Sequence, residues 1–147
     1  MRLGFVAVLM GSLLAGAASA QTAQQGQVPA GETALGSVRL THNVMADGKP
    51  LKAGTYQVRL TSQDASPVVP GIKMERWVEF LQGGKVAGRE VVSIVPGSEL
   101  KDLMPGPDNL PRAGSGSARV EMLKGNDYVR VWINRGGVHY LIHMPPA

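Results

Sequence analysis

The sequence of 147 residues contains no cysteine and is poor in aromatic and charged residues. Without cysteine, the protein has no disulfide framework, no cysteine-ligated zinc site and no cysteine nucleophile. Aromatic residues make up 5% and charged residues 18% of the chain, whereas Gly (19) and Pro (10) are common. A coiled coil or a helical bundle would need more charged helix formers and fewer Gly and Pro residues, so this composition excludes both classes.

The sequence also lacks any run of adjacent Lys or Arg residues. The formal net charge is only +4, and its basic residues are scattered along the chain. A net charge of this size aids solubility and gives no indication of nucleic-acid binding. We therefore expect no nucleic-acid partner. Hydrophobic residues make up 44% of the sequence, which is sufficient for the core of one domain.

One apolar run lies at the N-terminus, where it follows Arg2 and ends in Ala18-Ser19-Ala20. A basic residue, a short apolar run and small residues at its end are typical of a secretory signal peptide. We therefore predict that residues 1–20 are a signal peptide and that the protein is exported, to the periplasm or the extracellular space. The alternative is an N-terminal membrane anchor, but a spanning helix needs roughly 20 apolar residues and this run is shorter. We expect no membrane span after cleavage.

The rest of the chain predicts a short leader and one β domain. Residues 21–35 are rich in Gln, Ala and Gly without periodicity, which predicts a flexible leader. Residues 36–147 contain short β-branched runs between turn residues, which predicts an all-β, antiparallel β-sandwich (Ig-like or transthyretin-like) of about 7–8 strands. A Pro- and Gly-rich loop is predicted at 96–117, with a short helix from Glu99 to Met104 capped by Ser98. A loop of this length is either functional or poorly ordered.

The last part of the chain predicts a three-stranded meander, with strands over 118–124, 127–134 and 138–144. Two-residue turns at Gly125-Asn126 and Gly136-Gly137 would connect them, since these residue types tolerate positive φ. Both turns place apolar residues on one face, namely Ala118, Val120, Met122, Val129, Val131, Ile133, Tyr140, Ile142 and Met144. Because two independent turns agree, we expect this face to lie on a core.

The opposite face of the meander carries the candidate binding site. It combines aromatic, basic, acidic and amide side chains: Arg119, Glu121, Tyr128, Arg130, Trp132, Asn134, His139 and His143. A sugar or peptide across this face would stack on Trp132, while Arg130 and Asn134 would bind its hydroxyls or carboxylates. The alternative is that Trp132 is structural and is covered by its cross-strand neighbours, by a second sheet or by the long loop. Trp77 is a second candidate.

The sequence shows no catalytic pattern. His139 and His143 are four residues apart in a predicted strand, about 13 Å, so both cannot bind one metal ion at about 2 Å. Three glutamates are expected to be solvated on one outward strand face rather than to flank a cleft: Glu75, Glu79 and Glu90. We therefore predict no catalytic residues, no metal site and no cofactor.

Two segments resemble motifs of a group of exported bacterial β-sandwich proteins. One is Asp47-Gly48-Lys49-Pro50-Leu51-Lys52-Ala53-Gly54-Thr55-Tyr56, which matches a DG-x-P-L-x-AGTY motif before a strand, and the other runs from Gly125 to Trp132. The resemblance implies an exported β-sandwich and transfers no functional residues to this chain.

Together these features predict an exported, non-enzymatic β-sandwich that binds a glycan, a peptide or an envelope protein through an open sheet face. One alternative is a structural or assembly module of the cell envelope without a small-molecule ligand. A further alternative is a hydrolase, which would need an enclosed pocket that gathers His42 or two glutamates from distant strands.

Overall fold

The computed structural model describes residues 26–65, 74–103 and 113–147. The predicted signal peptide (1–20), the start of the predicted leader and the centre of the predicted loop lie outside the described residues. Within the described ranges, no helix has the length and apolar character needed to cross a membrane.

The described residues form nine strands and two short helical turns. The strands are β1 (Thr33–Leu40), β2 (Val44–Ala46), β3 (Lys49–Leu51), β4 (Gly54–Asp64), β5 (Glu75–Gln82), β6 (Lys85–Pro96), β7 (Ser117–Met122), β8 (Val129–Arg135) and β9 (Val138–Met144). A 3-10 turn (Gly97–Glu99) and a single α-helical turn, α1 (Leu100–Leu103), follow β6. Seven strands form one sheet in the order β1-β4-β5-β6-β9-β8-β7, and β2 pairs with β3 in a small second sheet. The predicted all-β antiparallel class is confirmed.

Short connections of even length set the register of the C-terminal meander. Gly136 and Gly137, at φ 62° and 75°, form the predicted two-residue turn between Arg135 and Val138, and such turns favour Gly. The predicted two-residue turn at Gly125-Asn126 is wrong, because β7 ends at Met122, β8 begins at Val129, and the N–H of Asn126 donates a hydrogen bond to the carbonyl oxygen of Leu123. Val120 lies opposite Val131, which in turn lies opposite Ile142. The predicted meander and its register are confirmed.

The main core lies on one face of the large sheet. Alternate residues of its strands are buried there together with three residues of the β2–β3 hairpin, among them Leu35, Val38, Leu40, Val44, Ala46, Leu51, Tyr56, Val58, Leu60, Val78, Phe80, Val92, Ile94, Val131, Tyr140 and Ile142. The sheet curves around this core until the edge strands β1 and β7 lie near each other. Because seven strands each run antiparallel to their neighbours, both edge strands run in the same direction. No backbone hydrogen bond joins these two strands in the described ranges.

The ordered domain begins earlier than the sequence predicts. Strand β1 starts at Thr33, within the predicted leader of residues 21–35. Ahead of it, the buried guanidinium of Arg76 donates hydrogen bonds to the carbonyl oxygens of Pro29 and Gly31. A buried cation needs such acceptors, so the described part of the predicted leader is packed against the domain.

The helical segment after β6 also differs from the prediction. The 3-10 turn begins at Gly97, so Ser98 lies inside it, and the residue before it, Pro96, provides no side-chain cap. The predicted Ser98 cap is wrong. A close backbone approach fixes this segment instead, because a Cβ at Gly97 would lie 2.8 Å from the carbonyl oxygen of Gly137. The Gly97 N–H donates a hydrogen bond to that oxygen at 2.9 Å.

Candidate functional site

The outward face of the meander brings the predicted site residues together in the predicted register. Arg119 lies opposite Trp132, and Glu121 lies opposite Arg130. Arg130 is in turn paired with His143 on β9. The predicted residues share one surface, but the structure exposes them unequally.

Trp132 lies beneath the segment that connects β6 to β7. Its relative exposure is 3%, and its indole belongs to a second apolar cluster with Val95, Leu100, Ala113 and Leu141. Because Leu100 and Ala113 belong to the connecting segment, that segment covers this part of the outward face. The expectation that Trp132 stands open as a stacking platform is therefore wrong.

Two more of the predicted binding residues form hydrogen bonds within this covered region. The indole Nε1 of Trp132 donates a hydrogen bond of 2.9 Å to Nδ1 of His139, which is itself buried. The side-chain amide of Asn134 donates a 3.0 Å hydrogen bond to the carbonyl oxygen of Ala113. Buried polar groups need such partners, so Asn134 and His139 hold the covering segment and the indole in place.

The other predicted residues remain accessible to solvent, at least in part. We name them the meander patch: Arg119, Glu121, Tyr128, Arg130 and His143. Tyr128 is 46% exposed, and its ring meets the imidazole of His143 edge-on, with centroids 6.5 Å apart at 87°. The phenol ring is therefore held by an aromatic contact while nearly half of the side chain stays exposed to solvent.

A carboxylate lies between two guanidinium groups in the meander patch. Glu121 accepts hydrogen bonds from Nε of Arg130 at 3.0 Å and from Nε of Arg119 at 3.3 Å. Burial alone would raise the pKa of Glu121, but the two arginines outweigh it and hold that pKa below its ordinary value. Burial, reinforced by the charge of Arg130, lowers the pKa of His143. At neutral pH the patch therefore holds a stable carboxylate and a neutral imidazole.

A second tryptophan lies on the outward face of β4, β5 and β6. We name its group the Trp77 patch: Arg59, Trp77, Glu79 and Arg89. The register places Arg59 opposite Glu79, and Glu79 opposite Arg89, in one row across three strands. Arg59 forms an ion pair with Glu79, while the guanidinium of Arg89 lies 4.1 Å from the centroid of the Trp77 ring. Trp77 is half-buried, and Leu100 and Ala113, which cover Trp132, are not grouped with it.

The three glutamates predicted to be solvated on one face are separated in the structure. A β-bulge between Phe80 and Leu81 shifts the register of the β5–β6 hairpin. It places Glu90 opposite the core residue Val78, on the inward side. Glu75 stays on the outward side but is buried. The prediction is therefore wrong for both of these residues, and Glu79 alone is half-exposed on the outward face.

The same bulge explains why Arg89 was missed as a candidate. Without the bulge, Trp77 would face Glu90, and Arg89 would point into the core. The sequence offers one signal for a bulge, Gly88 within a strand, since an isolated glycine there often marks one. No group of three or more His, Asp or Glu side chains in the described ranges is arranged to hold a metal ion.

Comparison with known proteins provides no functional assignment, because no family model, curated protein or solved structure matches the chain. The two patches are therefore the basis for a functional proposal.

Proposed function

We propose that the protein is an exported, non-enzymatic binding domain whose meander patch binds a glycan. The observation that supports this most directly is the exposed ring of Tyr128, fixed edge-on by His143. A half-exposed aromatic ring that is held by a neighbour is suited to stacking on the apolar face of a sugar.

The charged groups next to the ring suit the hydroxyls of a sugar. Arg119 is exposed on β7 and its Nε is already bound to Glu121, which orients the rest of the guanidinium. Glu121 is half-exposed and offers acceptor oxygens. Arg130 lies deeper, with its guanidinium 5.1 Å from the centroid of the Trp132 ring, and serves to position Glu121.

The electrostatics of the patch favour binding over glycoside hydrolysis. A hydrolase of the common type needs a carboxylic acid with a raised pKa as proton donor and a second carboxylate beside the scissile bond. The pKa of Glu121 is instead lowered by its two arginines. The patch itself contains no second carboxylate.

A thermal-shift screen of the mature protein against cell-wall oligosaccharides tests this proposal. A glycan at 100 times its dissociation constant should add about 2.7 kcal/mol to the unfolding free energy. The variant Tyr128→Ala should lose this response, whereas Val86→Ala, which truncates an apolar side chain that is 54% exposed on β6, should keep it. If no glycan stabilises the wild type, or if Tyr128→Ala responds equally, the proposal fails and the structural or assembly role is favoured.

Export is tested separately by the mass of the secreted protein. Cleavage after Ala20 should leave a chain that begins at Gln21. A protein retained in the membrane with residues 1–20 attached would contradict export.

A further inference from the structure

Strand β7 ends the large sheet and has one edge without a strand partner. Within the described residues, β8 is its only hydrogen-bonded neighbour in the sheet. The N–H of Leu123, just after β7, donates a hydrogen bond to the carbonyl oxygen of Tyr128, and bonded and non-bonded residues alternate along an antiparallel pair. The outer edge is therefore formed by the N–H and C=O groups of Ala118, Val120 and Met122. In the described part of the chain these groups have no hydrogen-bond partner.

The other edge strand, β1, lies near β7 but does not cover this edge. No backbone hydrogen bond joins the two strands in the described ranges. Ala118 faces the core side of the sheet and is nonetheless exposed, and Val120 and Met122 are half-buried. By contrast, Val129 and Val131, which lie opposite Met122 and Val120 on β8, are fully buried. Strand β7 therefore presents both free backbone groups and partly exposed apolar side chains.

Strand β7 also lacks the features that keep an edge strand from pairing. Such features include β-bulges, prolines and inward-pointing charges, and β1 has a bulge between Ala34 and Gly36. The pairing of β7 with β8 has no register shift. The sequence Ser117–Met122 contains no proline, and its inward-facing residues are uncharged. An edge of this kind is suited to pairing with a further strand.

The side chains of β7 are complementary to a second copy of the same strand in one antiparallel register. When Val120 lies opposite Val120 of the second copy, Arg119 lies opposite Glu121 of that copy, and the reverse pair forms by symmetry. On the apolar side, Ala118 then lies opposite Met122 of the second copy. Registers centred on Arg119 or on Glu121 would instead place that residue opposite itself, and like charges directly opposite each other destabilise a sheet. The charges of β7 therefore favour the register centred on Val120.

We propose that two copies of this chain associate through β7, edge to edge about a two-fold axis at Val120. In this register the free N–H and C=O groups of each β7 face those of the other, so that backbone hydrogen bonds form across the contact. A contact between identical surfaces closes as a dimer, and it joins the outward faces of the two sheets. Because each copy contributes one short strand, association is weak and depends on concentration.

Sedimentation equilibrium of the mature protein, residues 21–147, tests the association. The weight-average mass should rise from that of the monomer toward twice that value as the protein concentration increases. Ala118→Pro removes an N–H from the free edge and should keep the monomer mass at every concentration. Proline is tolerated on an edge strand where the lost N–H points away from the neighbouring strand. The matched control Ala118→Ser keeps the N–H and should associate like the wild type.

A pair of charge variants tests the register. Arg119→Glu gives the edge two acidic residues, and Glu121→Lys gives it two basic residues. Each variant alone should stay at the monomer mass, because like charges would lie opposite each other. An equimolar mixture should associate, since every acidic residue then lies opposite a basic residue of the other variant. Misfolded variants would not regain association on mixing, so this result separates pairing from loss of structure.

Three results would overturn the proposal. A wild type that stays at the monomer mass at all concentrations would show that the edge takes no second copy. Association of Ala118→Pro as strong as that of the wild type would place the contact on another surface. A mixture of the charge variants that remains monomeric, although the wild type associates, would rule out the register centred on Val120. No glycan is present in these measurements, so their outcome is independent of the glycan screen.

Discussion

The two tryptophans of this chain sit in chemically similar groups on the outward face of one sheet. Each indole has an arginine over its ring, Arg89 over Trp77 and Arg130 over Trp132. Each group contains a glutamate between two arginines: Arg59, Glu79 and Arg89 in one, Arg119, Glu121 and Arg130 in the other. Trp132 is nevertheless 3% exposed, whereas Trp77 is half-buried.

The difference comes from the connection between β6 and β7 and not from the strands themselves. After β6, the backbone at Gly97 turns back toward the β8–β9 turn, and Leu100 and Ala113 then pack on Trp132. Leu100 and Ala113 are not grouped with Trp77. Trp132 therefore becomes part of a core, while Trp77 stays half-exposed.

The largest expected contrast between the two regions is the loss of unfolding free energy when each tryptophan is replaced by alanine. Trp132→Ala should lower the unfolding free energy by roughly 3–5 kcal/mol, the usual cost of removing a large buried aromatic. Trp77→Ala should cost about 1 kcal/mol, because the ring is half-buried on a solvated face. Urea unfolding of the two variants measures both values. Similar losses would mean that the contacts of Trp132 with the covering segment add nothing to the unfolding free energy.

The next contrast concerns Gly97, whose lack of a side chain allows the covering segment to lie against the β8–β9 turn. A Cβ at Gly97 would collide with the carbonyl oxygen of Gly137 at 2.8 Å, so Gly97→Ala should destabilise the protein by about 1–3 kcal/mol. In a Trp77→Phe background, Trp132 is the remaining tryptophan, and its emission should shift to the red as the segment lifts.

Gly31→Ala is the matched control for this substitution. No atom lies within 4 Å of the added Cβ there, and the backbone is not in the left-handed region. We expect unchanged emission and no loss of stability in this variant. An unshifted emission in Gly97→Ala would show that Trp132 is buried independently of this close approach.

These contrasts also show what local sequence patterns are able to predict. The connection between Met122 and Val129 and the turn Gly136-Gly137 both contain an even number of residues, as the predicted turns do, so every pair from Met122 with Val129 to Asn134 with His139 is predictable. A residue's face follows from such turns, but its exposure depends on what packs over that face. The burial of Trp132 depends on Leu100 and Ala113, which reach it through a connection with no periodic pattern.

The position of Arg89 beside Trp77 was missed for a different physical reason. One extra residue, the bulge near Ala87, reverses which side chains of β6 point outward. Strand alternation has a period of two, so a single bulge exchanges the faces of all residues beyond it. Glu90 thereby moves inward, where it binds the N–H of Asp47 and anchors the β2–β3 hairpin. Arg89 moves outward onto Trp77.

Glu121 and Glu79, the central glutamates of the two groups, should differ less in their contribution to the unfolding free energy. Glu121 accepts hydrogen bonds from two arginines. Glu79 is paired with Arg59, whereas Arg89, its other cross-strand neighbour, lies over the ring of Trp77. Glu121→Gln should lower the unfolding free energy by about 1 kcal/mol and Glu79→Gln by about half as much, since partly exposed ion pairs contribute little. Chemical denaturation at neutral pH gives both values. A larger loss for Glu79→Gln would reverse this ranking of the two networks.

The smallest expected effect is a pH dependence confined to the meander patch, since the Trp77 patch contains no imidazole. Burial and Arg130 lower the pKa of His143 below its ordinary value of 6.5. The folded state then binds a proton less readily than the unfolded one, so this stabilisation is complete above pH 6.5 and is lost as pH falls toward the folded pKa. His143→Gln should therefore reduce the fall in unfolding free energy between about pH 7 and pH 5.5.

Glu121→Gln should keep that fall, because the lowered pKa of Glu121 makes its contribution disappear only below about pH 4.5. If His143→Gln loses as much stability over this interval as the wild type, the neutral imidazole does not account for the pH dependence, and its contact with the ring of Tyr128 is then unrelated to titration.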